Sequence, residues 1–506
     1  MRVRTESLAW LCVVAGVAPA WGQGSPANLL RARLGATVLV SDNLGPTATG
    51  AADRGAVLTF TPGVSYVLRS AQAQVTVDYG LNLLVPWRVA DQPEQMQHSL
   101  NSRARLEDRD SGWAIEAQAG IGQQTVSAFG VQRDSGTGRP PRSGTENQRE
   151  LLSASLTPTW NTRVAGLALL QASHQWTGTN TRNSTLGDAN SQFSSVALSS
   201  LTLGRLTLGA RVTRQRTQPK LSRRSTVESA SATFGWQPDI DWRFSGNVGR
   251  ERTDLRLLQA ESGTTYGLGV TWVPTPRTVV DVGADRRVFA DTHRLTITHR
   301  LPRATISLSE SRNLSEPGVL GSIGARTHYD LLFAQLASAE PDPLKRDLLV
   351  RQQLLVLGLD PNGIASNGTI SQRAALTQLT ALSTTVQTQR STWTLAASQS
   401  RSTSFSPTLD GFDDFARSRL IRLRSLSLTG SYRLTPVSSA SASWSLQRNE
   451  GDTAALRTEL QSLVFTWSTR LARNQQLSLN ARHTEFDSPL QPYDENAVVL
   501  SYQIQF

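Results

Sequence analysis

The chain is predicted to be all-β: a transmembrane, antiparallel, up-and-down β-barrel of about 22 strands (roughly 20–24), with one helical hairpin inserted in a long loop. Three observations lead there. Apolar and polar residues alternate with period two along most of the chain. Connections alternate between short turns and long polar loops. The chain stops on an alternating strand that ends in Phe506.

The N-terminus comes first. Arg2 and Arg4 precede an apolar stretch from Leu8 to Ala18, and Ala18-Pro19-Ala20 follows. A charged start, a short apolar run and small residues make residues 1–22 a secretory signal peptide. Leu11 stands before the only cysteine, Cys12, where a lipoprotein signal needs a small residue. The mature chain, residues 23–506, therefore has no disulfide, no cysteine zinc site and no cysteine nucleophile. No later run of about 18 apolar residues occurs, which excludes spanning helices. Strand pattern begins near Arg33, leaving no room for an N-terminal plug domain.

The strand code is plain in residues 74–85. Val75, Val77, Tyr79, Leu81, Leu83 and Val85 share one face; Gln74, Thr76, Asp78, Gly80 and Asn82 share the other. Leu206, Leu208 and Val212 repeat it, as do Leu426 and Leu428, then Leu477 and Leu479. Ten short turns are expected, including Ser70–Ala71, Asn161–Thr162 and Pro238–Asp241, and eleven connections at the other end, including 124–146, 313–368 and 405–417. Both chain ends then lie on the short-turn side. With 506 residues, each strand has chain to spare for a roughly 9–11-residue span.

Aromatic residues cluster beside the short turns: Trp113, Trp160, Trp236, Trp242, Trp272, Trp393, Tyr432 and Trp467. Rings of this kind favour the headgroup level and predict a girdle. At the C-terminus Val498, Leu500, Tyr502, Ile504 and Phe506 alternate with polar or smaller residues. Tyr502, Ile504 and Phe506 resemble the terminal signal by which outer-membrane barrels reach their insertion machinery. The last strand should close on the first, near Arg33–Val40, because lipid leaves unpaired backbone unsatisfied. The location expected is the outer membrane of a Gram-negative bacterium, with lipid and the insertion machinery as partners.

Lys and Arg total 51 against 40 acids, for a net charge of +11. Arg103, Arg105, Arg205, Arg211 and Arg482 fall on polar strand positions and are candidate lumen-lining residues. A cationic lumen attracts anionic solutes. Glu107, Asp281 and Asp285 share that face, so an internal salt-bridge network is the competing reading. Nucleic-acid binding is excluded, since the arginines are dispersed rather than clustered.

From His328 to Gly358 the period changes. Leu331 and Leu332 begin an apolar face, Asp342-Pro343 makes an N-cap and first turn, Arg346 follows, and Gly358 suits a C-cap. This insert, residues 313–368, would constrict the lumen, cap the mouth, dock a partner, or simply decorate the surface.

Here the sequence resembles the PEP-CTERM system-associated outer membrane proteins of exosortase-bearing bacteria. The residues that carry the resemblance are Gly267-Leu268-Gly269, Trp272 to Thr278, Arg287-Val288-Phe289, Asp330-Leu331-Leu332, Asp342-Pro343 with Arg346, and Gly358-Leu359. Ala290 stands where a glycine often follows. The resemblance implies a non-catalytic conduit or scaffold for exopolysaccharide assembly or export, with exopolysaccharide or export-complex proteins as partners. A general or anion-selective porin is the alternative, and an outer-membrane hydrolase the second.

Chemistry is sparse. The six histidines form no two-His zinc motif, and no nucleophile elbow or phosphate loop appears. Catalytic residues, metal and cofactors are all expected to be none. Asp410, Asp413 and Asp414 share a loop that could take calcium but is expected to be solvated. Asp/His pairs such as Asp291 with His293 are candidates for a rim hydrolase, with His293 and His483 the histidines to test.

Overall fold

The computed structural model describes residues 27–44, 54–87, 95–132, 147–201, 204–255, 260–315, 317–320, 350, 369–405 and 413–506. The strands run in order: β1 (Ala27–Ser41), β2 (Gly55–Arg69), β3 (Ala73–Trp87), β4 (Gln95–Asp108), β5 (Trp113–Thr125), β6 (Gln148–Val164), β7 (Ala168–Thr181), β8 (Ala189–Ser200), β9 (Leu206–Pro219), β10 (Ser225–Trp236), β11 (Trp242–Thr253) and β12 (Glu261–Thr275). They continue as β13 (Thr278–Arg286), β14 (Asp291–Arg300), β15 (Ala304–Ser315), β16 (Gly318–Leu320), β17 (Thr369–Ser371), β18 (Ala375–Gln387), β19 (Ser391–Ser404), β20 (Leu420–Arg433), β21 (Ser438–Glu450), β22 (Arg457–Ala472), β23 (Gln475–Asp487) and β24 (Tyr493–Gln505).

Each barrel strand pairs antiparallel with its neighbours, and β15 pairs directly with β18. β1 pairs with β24 from Arg33↔Gln505 to Ser41↔Ala497, so the sheet closes as a 22-strand barrel. β16 and β17 form a small hairpin inside the connection between β15 and β18. No edge remains in the barrel wall, which is what a sheet in lipid requires. The terminal strand meets the first one where the sequence placed it.

Alternation decides the faces. Residues of loops reach side chains on strands far around the ring, and such a chord can run only through the lumen. Asn449 on β21, Thr458 on β22 and Tyr493 on β24 make these chords and so face inward. The opposite face carries Leu34, Val38, Phe60, Leu208, Val212, Leu268, Leu428, Phe465 and Leu500, all exposed. That apolar exterior is the lipid face. Aromatic rings stack along its short-turn edge: Trp113 on Trp160 (5.9 Å), Trp242 on Trp272 (5.3 Å) and Trp236 on Phe244 (5.4 Å). The predicted girdle is therefore formed by cross-strand pairs.

Inside, a small residue makes room for a salt bridge. Arg33 on β1 passes over β2 at Gly63 to reach Asp78 on β3 at 2.7 Å. A Cβ at Gly63 would stand 2.6 Å from the Arg33 Nε.

One expected turn moves. Asn161–Thr162 lie within β6, and the reversal comes after Val164. Ala165 (φ 51°) and Gly166 (φ 68°) both take left-handed backbone, the combination that matches hairpin twist. The leader, residues 1–22, lies outside the described residues. So does most of the predicted helical hairpin, including Leu331, Leu332, Asp342, Pro343, Arg346 and Gly358. Val350 is described, helical and fully buried.

Candidate functional site

The long-loop end of the barrel is latched by two consecutive carboxylates. A single 3-10 turn, Asp414–Ala416, follows Asp413 in the connection between β19 and β20. Asp413 Oδ2 accepts hydrogen bonds from the Ser371 hydroxyl (3.1 Å) and the Gln372 amide (3.0 Å), and Arg373 Nε lies 3.5 Å from Oδ1. Asp414 accepts from the Ser127 hydroxyl and from the Ala128 amide (2.6 Å). Neighbouring side chains thus grip two different loops: the end of the β15–β18 insert and the β5–β6 connection. Both carboxylates are buried. Burial pushes the Asp414 carboxyl up to about 6, against the opposing pull of its bonds to Ser127 and Ala128.

The β5–β6 loop is itself shaped to arrive there. Asn147 Nδ2 donates to the Ser127 and Val131 carbonyls, and its Oδ1 accepts from the Ser127 amide. Gln132 Nε2 donates to three carbonyls of the same turn. Beyond the carboxylates, the Ala128 carbonyl accepts from Asn449 (2.8 Å) and Thr458 (3.1 Å), and the Gln132 carbonyl from the Tyr493 hydroxyl (2.7 Å). Ala128, Phe129, Ala375, Phe415, Ile421 and Leu456 pack beneath as one buried apolar cluster. The Arg417 guanidinium stands 5.9 Å from the Phe129 ring. A third loop joins where Gln372 donates to the Thr185 carbonyl (3.2 Å) and Ile370 seats against Gly187, whose Cβ would lie 2.6 Å from Ile370 Cγ2. Loops from distant strands are therefore tied together across the mouth.

The expected solvation of this loop is corrected: Asp413 and Asp414 are buried and held by other loops, with Asp413 Oδ1 accepting no hydrogen bond among the described residues, while Asp410 lies outside the described residues. Among the described residues no cluster of three His, Cys, Asp or Glu could hold a metal. Ser127, Gln132 and Asn147 escaped sequence reasoning because no local pattern marks which loop will cross a lumen.

The candidate lumen arginines fall in separate places. Arg103 and Arg105 share the inward face of β4 and pair with Glu116 (3.7 Å) and Glu107 (3.2 Å). Arg211 is on the inward face of β9. Arg205 is exposed in the β8–β9 turn. Arg482 on β23 is buried, 3.0 Å from Glu495, which also accepts from Ser41. Of the terminal residues, Phe506 donates its backbone N–H to the Ala32 carbonyl, and Tyr502 and Ile504 lie on the outward face of β24. His293 and His483 also point outward. His293 meets Glu310 (3.3 Å), and His483 shares a hydrogen bond with Asn496 (2.9 Å), which Asp42 holds in turn. No hydroxyl or thiol nucleophile contacts either ring among the described residues.

Several of the described residues behind the family resemblance have structural work. Gly267 and Gly269 face the lumen, where a Cβ would collide with Asp285 Oδ1 and come within 2.5 Å of Ser245 Oγ respectively. Trp272 belongs to the girdle. Arg287 pairs with the buried Glu251 (2.6 Å), and Phe289 is fully buried edge-on to Phe405. These are demands of this barrel's packing; the resemblance residues from Asp330 to Leu359 lie outside the described residues.

No family model matches the chain, and no curated protein matches it. Solved structures that it resembles include the FrpB iron transporter of Neisseria meningitidis (11% identity over 94% of this chain and 82% of that one, TM-score 0.49). Others are the ferric-catecholate import receptor Fiu of E. coli K12 (9%, 94% and 81%, TM-score 0.47) and the siderophore receptor PirA of Pseudomonas aeruginosa (9%, 96% and 82%, TM-score 0.44). A likeness at this level reaches no further than the arrangement of strands, which the pairing register already establishes. The expected exopolysaccharide conduit or scaffold is corrected: the similar structures are described as iron and siderophore transporters and receptors. With its closed 22-strand wall, lipid-facing apolar exterior and aromatic girdle, the chain is a large β-barrel of a Gram-negative outer membrane.

Proposed function

We propose that this barrel is a gated passage for uptake of an anionic solute, closed at its outer mouth by its own loops and opened when the Asp413–Asp414 latch lets go. Long loops of such barrels face outward, so the latch meets an arriving solute first. The single observation that carries the reading is the pair of buried carboxylates holding two loops from distant strands. Buried polar contacts of this kind are bistable: fully satisfied they hold, and the loss of one partner leaves the rest unpaired.

The charge of the lumen supports an anionic solute. Arg33, Arg103, Arg105 and Arg482 pair with acids along the wall. At the short-turn end, Arg163, Arg300 and Arg433 occupy inward positions, are exposed, and have no acidic partner among the described residues. An unpaired cationic exit concentrates anions.

Proteoliposomes test this. The intact barrel should leak neither a small organic anion nor a cation of equal size. The variant D413A/D414A should admit the anion faster than the cation. Equal leakage of both through the intact barrel, or a variant as tight as the parent, would overturn the reading.

A further inference from the structure

The exterior of the barrel carries a feature that solute passage does not use. Just above the apolar band, on the long-loop side, arginines crowd the outward face of β19 to β22. Arg401 stands directly opposite Arg422, and Arg424 directly opposite Arg448. Like charges in register destabilise a sheet, and an anion lying between them relieves the repulsion. The acids present do not suffice. Arg424 lies 3.6 Å from Glu450, while Arg448 (2.8 Å) and Arg457 (3.4 Å) share Glu459. Glu450 stands opposite Arg422 in register but within no ion-pair distance of it, and Arg401 has no acid opposite it. On the outward face of β19–β22 five arginines thus meet two acids, Glu450 and Glu459, while the neighbouring β23 carries Glu485 and Asp487 on the same face.

The level of the cluster identifies its partner. One step down β20 and β21 come Leu426 and Leu446, which stand opposite each other and face lipid, with Leu395 and Leu463 further along β19 and β22 on the same face. The guanidinium groups therefore sit where acyl chains give way to headgroups. A guanidinium presents a planar fork that matches phosphate oxygens in pairs. The pattern recurs on β9 to β11: Arg214 and Arg252 both stand opposite Glu228, one acid between two cations, with Arg216 and Arg250 beside them on the same face.

We propose that the outward arginines of β19–β22 bind the phosphate groups of an outer-leaflet glycolipid, whose acyl chains lie on the leucines below. The lipid neutralises the in-register arginine pairs and makes the wall complete only in its own membrane. The occupant is a membrane lipid rather than a soluble anion, because the cations are spaced along the lipid boundary and outside the lumen.

The test uses the purified full-length barrel in detergent, with bis-phosphorylated lipid A, its dephosphorylated form and inorganic phosphate as probes. Retained lipid is counted by native mass spectrometry. The parent should retain the phosphorylated lipid, and R401Q/R422Q should weaken that retention about tenfold or more. R401K/R422K should keep most of it, which guards against a folding defect in the glutamine variant; R103Q, inside the lumen, should keep all of it. Equal retention of the two lipid forms by the parent, or no loss in R401Q/R422Q, would overturn the proposal. Displacement of the lipid by millimolar inorganic phosphate would overturn it as well, in favour of a soluble-anion site. Solute passage is not read in this assay, so its failure leaves the gating proposal where it stands.

Discussion

The two ends of the lumen are built on opposite terms. At the short-turn end, inward arginines such as Arg163, Arg300 and Arg433 are exposed and have no acidic partner among the described residues. At the long-loop end, Arg373, Arg482, Asp413, Asp414 and Glu495 are almost wholly buried, and each has a partner. The wall is the same pleated sheet throughout. What differs is whether loops return into it: they do so at the outer end, where Ala128, Phe129 and Leu44 pack against inward strand residues. The same residue type is thus an open electrostatic lining at one end and a rigid structural member at the other. Barrel closure sets a passage of fixed width; the loops decide whether it is open.

The largest expected effect comes from erasing the difference. D413A/D414A removes the acceptors for Ser127, Ala128, Ser371 and Gln372, so the outer end should become as open as the inner. In planar bilayers the parent should show rare, brief openings and the variant a large, steady conductance. A variant that stays shut would show that the loops are held by other contacts.

Next in size is the contrast between buried and exposed arginines. R482A leaves Glu495 charged and buried, and should cost about 3–5 kcal/mol in unfolding from lipid. R103A, at a side chain 59% exposed, should cost about 0–1 kcal/mol. Urea titration of the heat-modifiable band measures both, and equal losses would contradict the two-ended picture.

The pH dependence follows from Asp414. Its carboxyl titrates at about 6 in the latch, above its ordinary 3.8. Between those values the latched state holds a proton that the released state has lost, so the latch weakens as pH rises through this window and is flat above it. The change amounts to about 3 kcal/mol across the window. Channel openings should therefore be rarer at pH 5 than at pH 7.5, and Asp414→Asn should be insensitive to pH. Openings that become more frequent on acidification would reverse the sign and refute the assignment.

The smallest effect belongs to the wall alone. Trp242→Ala removes stacking on both Phe244 and Trp272 and should cost about 0.5–1.5 kcal/mol with no change in conductance. A change in conductance would mean that the girdle and the mouth are coupled.

The wall was legible in the sequence because its physics is local. Each residue from Val498 to Phe506 declares its face by parity, and closure with the first strand follows from the lipid's intolerance of unpaired backbone. Parity also fixed the inward positions of Arg103 and Arg211. Where the signal was not periodic, it failed. Ala165 and Gly166 make a turn that only their backbone angles reveal, three residues past the expected Asn161–Thr162. Asp413 and Asp414 looked solvated because no stretch of sequence near them names Ser127 or Ser371, which lie in distant parts of the chain. The glycines at 267 and 269 suggested a family function, yet their cause is space for Asp285 and Ser245. The outward arginine pairs were hidden for a related reason: opposition of Arg401 to Arg422 exists only once strand register is known.

The most direct measurement concerns the tie across the mouth. Apart from Cys12 in the predicted leader the chain has no cysteine, so S127C/D414C introduces one defined pair of thiols. Reduced, this variant lacks the carboxylate and should conduct; joined by a disulfide or a short bifunctional thiol linker, it should shut, and reopen when a disulfide-joined sample is reduced again. A current that is the same before and after joining would show that the 126–132 loop does not close the passage.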